Sequence, residues 1–359
     1  MPGGDNARAF VFAGFPARVI FGSGTISQVG DEIARLGRGR ALVLSTSEQA
    51  DAAHALAEAL GGRAAAVHAG ARMHTPLAVT EAALAAYEAS GADCVVSLGG
   101  GSTIGLGKAI AFRNGADQIA VPTTYAGSEM TDILGETADG RKTTRRAPAI
   151  RPEVVIYDVD LTLSLPAALT MTSALNAVAH AAEALYAPEI NPVLHLMCAD
   201  AMRAFAAGLP VLASDPADRG ARADALYGTW LCGAALGSVS MALHHKLCHT
   251  LGGLFDTPHA DTHAILLPHT IGFNAAAVPA ALAPVAEAFG ADSPGVALWE
   301  FAGRIGAPRR LADLGLTEAD LDTAAGEAVQ SPYLNPRPFD RADIRALLGA
   351  AFDGARPAH

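Results

Sequence analysis

Charge is scarce in this chain: only 17% of its 359 residues are charged, and 36 acids outnumber 25 bases, for a net charge of −11. That balance repels a phosphate backbone or an anionic bilayer, so nucleic acid and membrane are excluded as main partners. Cysteine is nearly absent. Cys94, Cys198, Cys232 and Cys248 stand far apart, which excludes a disulfide scaffold and predicts reduced thiols in the cytoplasm. The start MPGGDNARAF has no basic segment followed by an apolar core, so no leader is expected. No run approaches the roughly 20 uninterrupted apolar residues needed to span a bilayer, because charge, Gly or Pro interrupts each Ala-rich stretch.

What is present is apolar: 51% of the residues, the composition of a compact globular protein that disorder cannot dominate. The length exceeds what one core usually supports, which predicts two domains. In the first half, short β-branched runs (Ala41–Ser45, Ala64–Ala69, Asp93–Gly101, Gln118–Thr124, Val154–Asp158) alternate with helical-length segments such as Gln49–Leu60 and Leu77–Ser90. That alternation reads as βαβ units around a parallel, Rossmann-like sheet. After about Leu161 only helix-length patterns follow: Pro166–Tyr186, Pro192–Leu209, Ala221–Leu254, His259–Ala277 and shorter ones. The expected division is an α/β domain over 1–160 and an all-helical domain over 161–359.

Several segments carry chemistry. Val95–Ile110 runs from a strand through Gly99, Gly100, Gly101 and Ser102 into a helix, a cradle in which bare backbone and helix N–H groups meet a pyrophosphate. A second loop after a strand, Val121–Thr131, offers Thr123, Thr124 and Ser128 to ribose or phosphate, or as caps. Ser45 and Thr46 end the strand ALVLSTS where a dinucleotide fold often places an acid for the adenosine ribose; without one there, NADH and NADPH are both admissible. Histidines dominate the second half. Asn176 and His180 are four apart on one helix face, as are His245 and His249, and His259 follows the breaker Asp256–Pro258. Three imidazoles and one oxygen would make a divalent metal site. His54, His68, His195 and His359 read as ordinary histidines.

In this order, the GGGS turn (Gly99–Ser102), the PTT loop (Pro122–Thr124), the Asn176/His180 pair and HHKLCHTLGGLFDTPH (His244–His259) resemble the iron-containing (group III) alcohol dehydrogenase family over nearly the whole chain. Within it, VPTTYAGSEMT, LNAVAHAAEALYA and SPYLNPRPF are similar to the maleylacetate reductase branch. The resemblance implies a dehydroquinate synthase-like architecture: an N-terminal dinucleotide-binding α/β domain, a C-terminal helical domain, an active site in the cleft between them, and a homodimer. It implies metal ligands at Asn176, His180, His245 and His259, with His249 beside the nicotinamide. The family's usual first ligand is Asp. Asn176 supplies an oxygen without charge, so iron or zinc is expected to bind weakly or not at all. Gly105 is a second departure, at a position where many members carry Asp.

The implied reaction is NAD(P)H-dependent reduction of the carbon–carbon double bond of maleylacetate to 3-oxoadipate, in the breakdown of aromatic compounds. His249 or His245 would be the general acid, with His180 and His259 polarising the carbonyl. A dicarboxylate substrate in a protein of this charge needs local bases. Lys246, Tyr333, Asn335 and Arg337 form the expected substrate set with Asn176, Arg337 first because a guanidinium grips carboxylates bidentately, and Lys142 is an expected cofactor contact. Two other readings stand beside this one: a metal-dependent alcohol or glycerol dehydrogenase of the same family, and a non-catalytic nucleotide-binding sensor.

Overall fold

The computed structural model describes Phe10 and residues 17–138, 141–330 and 333–357, apart from the side chains of Arg141 and Lys142. The described residues fall into two compact units, one within Gly14–Leu165 and the other within Met1–Ala13 and Pro166–His359.

The first unit alternates strand and helix: β1 (Arg18–Gly22), α1 (Val29–Arg35), β2 (Ala41–Leu44), α2 (Ala50–Leu60), β3 (Ala64–His68), α3 (Leu77–Ser90), β4 (Cys94–Gly99), α4 (Gly101–Asn114) and β5 (Asp117–Pro122). The hairpin β6 (Ile133–Ala138) and β7 (Arg141–Arg146) follows, then β8 (Val154–Asp158). Six strands form a parallel sheet in the order β1-β8-β5-β4-β2-β3. Every residue of β2, β4 and β8 is buried, as near-continuous apolar runs covered on both faces require. The chain leaves β2 for β3 on one side and returns to β4 on the other. That reversal makes the carboxyl ends of β2 and β4 a topological switch point, the place where open α/β sheets bind ligands.

The antiparallel pair β6/β7 is not among the strands expected from the sequence. Arg145 and Arg146 pair across it with Leu134 and Ile133. The Asp139–Gly140 dipeptide between the strands is the hairpin signal that marks this element in the sequence.

The second unit is helical among the described residues: α5 (Ala167–Ala184), α6 (Pro192–Ser214), α7 (Arg219–Leu236), α8 (Leu243–Phe255), α9 (His259–Ala275), α10 (Pro279–Phe289), α11 (Pro294–Arg304), α12 (Glu318–Ala328) and α13 (Arg341–Asp353). α5 is buried without interruption from Thr170 to Ala184, the mark of a central helix, and α6, α7 and α9 pack around it. α6 is long and apolar enough by composition to cross a membrane, but Leu194, Cys198, Met202, Phe205 and Leu209 line its buried face, and it carries the Asp200–Arg203 ion pair. The pattern expected as one helix over Ala221–Leu254 is two. Gly237–Ala242 breaks it, and α8 starts where a carboxylate from α5 receives its first N–H groups.

Candidate active site

In the first unit, three neighbouring parallel strands end in the three loops singled out in the sequence. Ser45 and Thr46 follow β2, Gly99–Ser102 joins β4 to α4, and Thr123–Ser128 follows β5. Gly100 caps α4 with no side-chain hydrogen bond, so the first N–H groups of the helix keep their pull on an anion. A Cβ on Gly100 would stand 2.8 Å from Thr124 Cγ2, and one on Gly99 would meet Thr103 and Gln49, so only glycine leaves the backbone bare here. Ser45 Oγ, Thr103 Oγ1 and Ser128 Oγ are buried with no hydrogen-bond partner. Unmet hydroxyls beside an uncapped helix start fit the phosphates and ribose of a dinucleotide.

Two residues of this region escaped the sequence reading. Gln49 Nε2 donates to Thr123 Oγ1 at 2.9 Å and braces the β5 loop from α2's side. Lys108, 1% exposed on α4, donates through Nζ to Ser128 O at 2.5 Å, Thr131 Oγ1 at 2.9 Å and Ile133 O at 3.1 Å. Burial pulls its pKa down to about 7 against the opposing charges of Glu129 and Asp132. The Lys142 side chain lies outside the described residues.

In the second unit, imidazoles from α5, α8 and α9 meet. His180 Nδ1 and His245 Nε2 are hydrogen-bonded at 2.8 Å. The His245 ring lies 6.1 Å from His249, which lies 6.3 Å from His259. His244 and His263, part of the histidine pattern in the sequence but given no role there, complete it: His263 is 4.3 Å from His259 and 4.8 Å from His244, ring to ring. The cluster runs from wet to dry. His249 is exposed and His259 half-buried, Asn176, His180 and His245 are buried, and His244 and His263 are fully enclosed.

Proton positions at the dry end follow from partners. Thr270 Oγ1 donates to the carbonyl of Leu266, so it accepts from His244 Nδ1 at 3.0 Å. His244 Nε2 is then an acceptor, and His263 Nδ1–H donates to it at 2.9 Å. Burial, with the neighbouring imidazoles, pushes His244 down to about 3 and His263 well below its ordinary value. Both stay neutral.

Glu183 holds His245 and was not foreseen. One turn beyond His180 on α5 and fully buried, it accepts His245 Nδ1–H at 2.7 Å, the N–H groups of Ala242 and His244 at 3.0 and 2.8 Å, and the Tyr186 hydroxyl at 3.0 Å. Burial alone would raise its pKa, but the hydrogen bond and charge of His245, with His244 and the Ala242 amide, pull it down to about 2. A carboxylate at the start of α8 both caps the helix and fixes the tautomer of His245. The signal was present in the sequence as an acid at i+3 from His180.

The segment Tyr333–Arg337 packs on the end of α9. Arg337 lies 3.9 Å over the Phe273 ring and donates to Phe273 O at 3.2 Å. Lys246 Nζ is 5.8 Å over the Tyr333 ring. Neither Arg337 nor Lys246 has a carboxylate partner among the described residues, and the Tyr333 hydroxyl is buried with no hydrogen-bond partner. Asn335, expected among the substrate contacts, has its amide engaged within the protein. Its amide is taken up by Asn274, at 2.7 and 3.0 Å, and by Arg337 O at 2.7 Å.

The four expected metal donors, Asn176, His180, His245 and His259, differ in what they offer an ion. Asn176 Oδ1 is buried with no hydrogen-bond partner, as a ligand atom would be, but it is a neutral amide. Two imidazole nitrogens on one tetrahedral ion stand about 3.3 Å apart. His180 Nδ1 and His245 Nε2 are 2.8 Å apart, closer than that. A different group, His244, Cys248 and His263, also gathers donor atoms within 4.8 Å of one another, all buried.

Residues 16–159 match the family "Iron-containing alcohol dehydrogenase" and residues 170–352 match "Fe-containing alcohol dehydrogenase family, C-terminal". The chain is 58% identical over 348 residues to a maleylacetate reductase of Rhizobium sp. (strain MTP-10005), covering 97% of this chain and 99% of that protein. It is 50% identical over 353 residues to maleylacetate reductase 1 of Rhodococcus opacus, covering 98% and 99%. The crystal structure of a maleylacetate reductase from Agrobacterium tumefaciens superposes with a TM-score of 0.95 at 57% identity, covering 98% of this chain and all of that one.

Proposed function

The chain belongs to the iron-containing alcohol dehydrogenase family, and from that premise we propose that it catalyses the NAD(P)H-dependent reduction of the carbon–carbon double bond of maleylacetate, giving 3-oxoadipate. The observation that carries this reading is the meeting of His180, His245 and His259, from three helices, in a chain so similar to enzymes of that name.

A reduced nicotinamide dinucleotide, held by the Gly99–Ser102 turn and the Thr123–Ser128 loop, would supply a hydride for the carbon β to the ketone. Charge then moves onto the ketone oxygen as an enolate, which is protonated at the carbon between. The chain's own groups stabilise that oxyanion and deliver that proton. The His180–His245 pair suits both tasks. Glu183 stabilises an imidazolium on His245, and His249, at the exposed end, is the other donor in reach of a ligand. His259 is positioned beside them to polarise the carbonyl. The two carboxylates of the substrate are held by Arg337 and Lys246, which lack acidic partners among the described residues, and by the buried Tyr333 hydroxyl, whose pKa burial pushes up so that it stays a donor.

A divalent ion binds weakly on this reading, because Asn176 brings no charge and His180 and His245 are committed to each other. The reaction belongs in the cytoplasm, where the four buried thiols stay reduced, and the active form is a homodimer. The deciding experiment follows NADH oxidation with maleylacetate and with simple aldehydes, before and after exhaustive chelation, with bound metal measured on the same sample. Turnover of maleylacetate that survives chelation is expected. Turnover of aldehydes alone, and only with metal restored, would replace this reading with that of a metal-dependent alcohol dehydrogenase.

A further inference from the structure

A continuous line of hydrogen bonds leads from the Tyr333–Arg337 segment to the imidazoles. Asn335 Nδ2 donates to Asn274 Oδ1 at 2.7 Å, and Asn274 Nδ2 returns a bond to Asn335 Oδ1 at 3.0 Å. The same Asn274 Nδ2 donates to the Tyr186 hydroxyl at 3.1 Å, and that hydroxyl donates to Glu183 Oε1. Glu183 Oε2 receives His245 Nδ1–H, and His245 Nε2 meets His180 Nδ1.

Donor and acceptor roles along the line are fixed from one end by chemistry. Asn335 Nδ2 also donates to Arg337 O, so its second hydrogen is spent and its oxygen must be the acceptor facing Asn274. Asn274 then has an amide hydrogen for Tyr186, and Tyr186, accepting there, gives its own hydrogen to the carboxylate. Reversing any amide would place two donors or two acceptors face to face in a buried setting, at the cost of a lost hydrogen bond and an unmet polar group. Asn274 is fully buried and Glu183 fully buried, so water offers no substitute partner there.

We propose that Tyr186, Asn274 and Asn335 are positioning residues for the reduction: they couple the seat of the Tyr333–Arg337 segment to the orientation and tautomer of His245 through Glu183. The chain assigns Asn335 to this task rather than to substrate contact. Arg337 is docked by the same stretch of α9, through Phe273, so one element sets both the guanidinium that meets a substrate carboxylate and the imidazole that meets its carbonyl. This inference rests on the reduction reading for its kinetic consequence, but its structural core is independent of substrate.

The test uses the full chain with histidine labelled in nitrogen-15. The Nδ1–H resonance of His245 is assigned by its loss in Glu183→Gln, and it is expected to move in both Tyr186→Phe and Asn335→Ala. With maleylacetate, each variant is expected to lower kcat on the order of tenfold with the KM for NAD(P)H unchanged. The double variant is expected to lose no more than the worse single one, since both act through one line. A resonance unmoved in both variants, or losses that multiply in the double variant, would overturn the proposal. Absence of maleylacetate turnover in the wild type would sink the reduction reading while the resonance still decided the coupling.

Discussion

His245 Nδ1–H lies 2.7 Å from Glu183 Oε2, across 62 positions of sequence, and the same carboxylate receives the first N–H groups of the helix that carries His245. One buried anion therefore starts α8, orients the imidazole and determines which of its nitrogens faces His180. The removal of that charge is the most direct probe of the site.

Glu183→Gln is expected to lower kcat by about 10- to 100-fold, as loss of an orienting partner of a histidine does. The acid also leaves a signature in stability. Its folded pKa of about 2 lies below the ordinary 4.5, so its stabilising contribution is complete above pH 4.5 and is lost as the pH falls toward 2. Urea midpoints followed across that window should fall more steeply in the wild type than in Glu183→Gln. Parallel slopes would show that the charge is not stabilising.

Asn176→Asp restores the negative charge that the expected metal donors lack. Zinc affinity measured by calorimetry should rise by at least about tenfold, equivalent to 1.4 kcal/mol, because the added charge offsets an ion that three neutral imidazoles leave uncompensated. Unchanged affinity would mean that the His180–His245 hydrogen bond, rather than the missing charge, limits metal binding.

Gly100→Ala places a methyl group 2.8 Å from Thr124 Cγ2, so the β5 loop must give way. The expected result is weaker NAD(P)H binding by fluorescence titration, with the imidazole cluster of the other unit unaffected. Binding equal to the wild type would remove the Gly99–Ser102 turn from the cofactor site.

Arg337→Ala and Lys246→Ala are expected to raise the KM for maleylacetate by roughly tenfold each, the loss of one charge-assisted hydrogen bond, with the KM for NAD(P)H unchanged. Steady-state kinetics with both substrates varied separates the two. A wild-type KM for maleylacetate in Arg337→Ala would withdraw that residue from the dicarboxylate site, leaving it its packing and hydrogen bond on Phe273.

Much of this molecule was decided by local pattern. Fully buried strands write themselves as apolar runs, Gly99 and Gly100 of the turn between β4 and α4 leave no room for a Cβ, and Asn176 with His180, like His245 with His249, shares a face by helical spacing alone. Folding in three dimensions settled what spacing cannot encode. Glu183 is only an acid one turn beyond His180 until α8 is laid against α5, His244 and His263 become a neutral, enclosed pair only once α8 and α9 pack together, and the Asn335 amide meets Asn274 and Arg337 O only through the packing of its segment on α9. The physical reason is common to all three. A side chain's charge and proton are set by which groups replace water around it, and those groups arrive from distant parts of the chain.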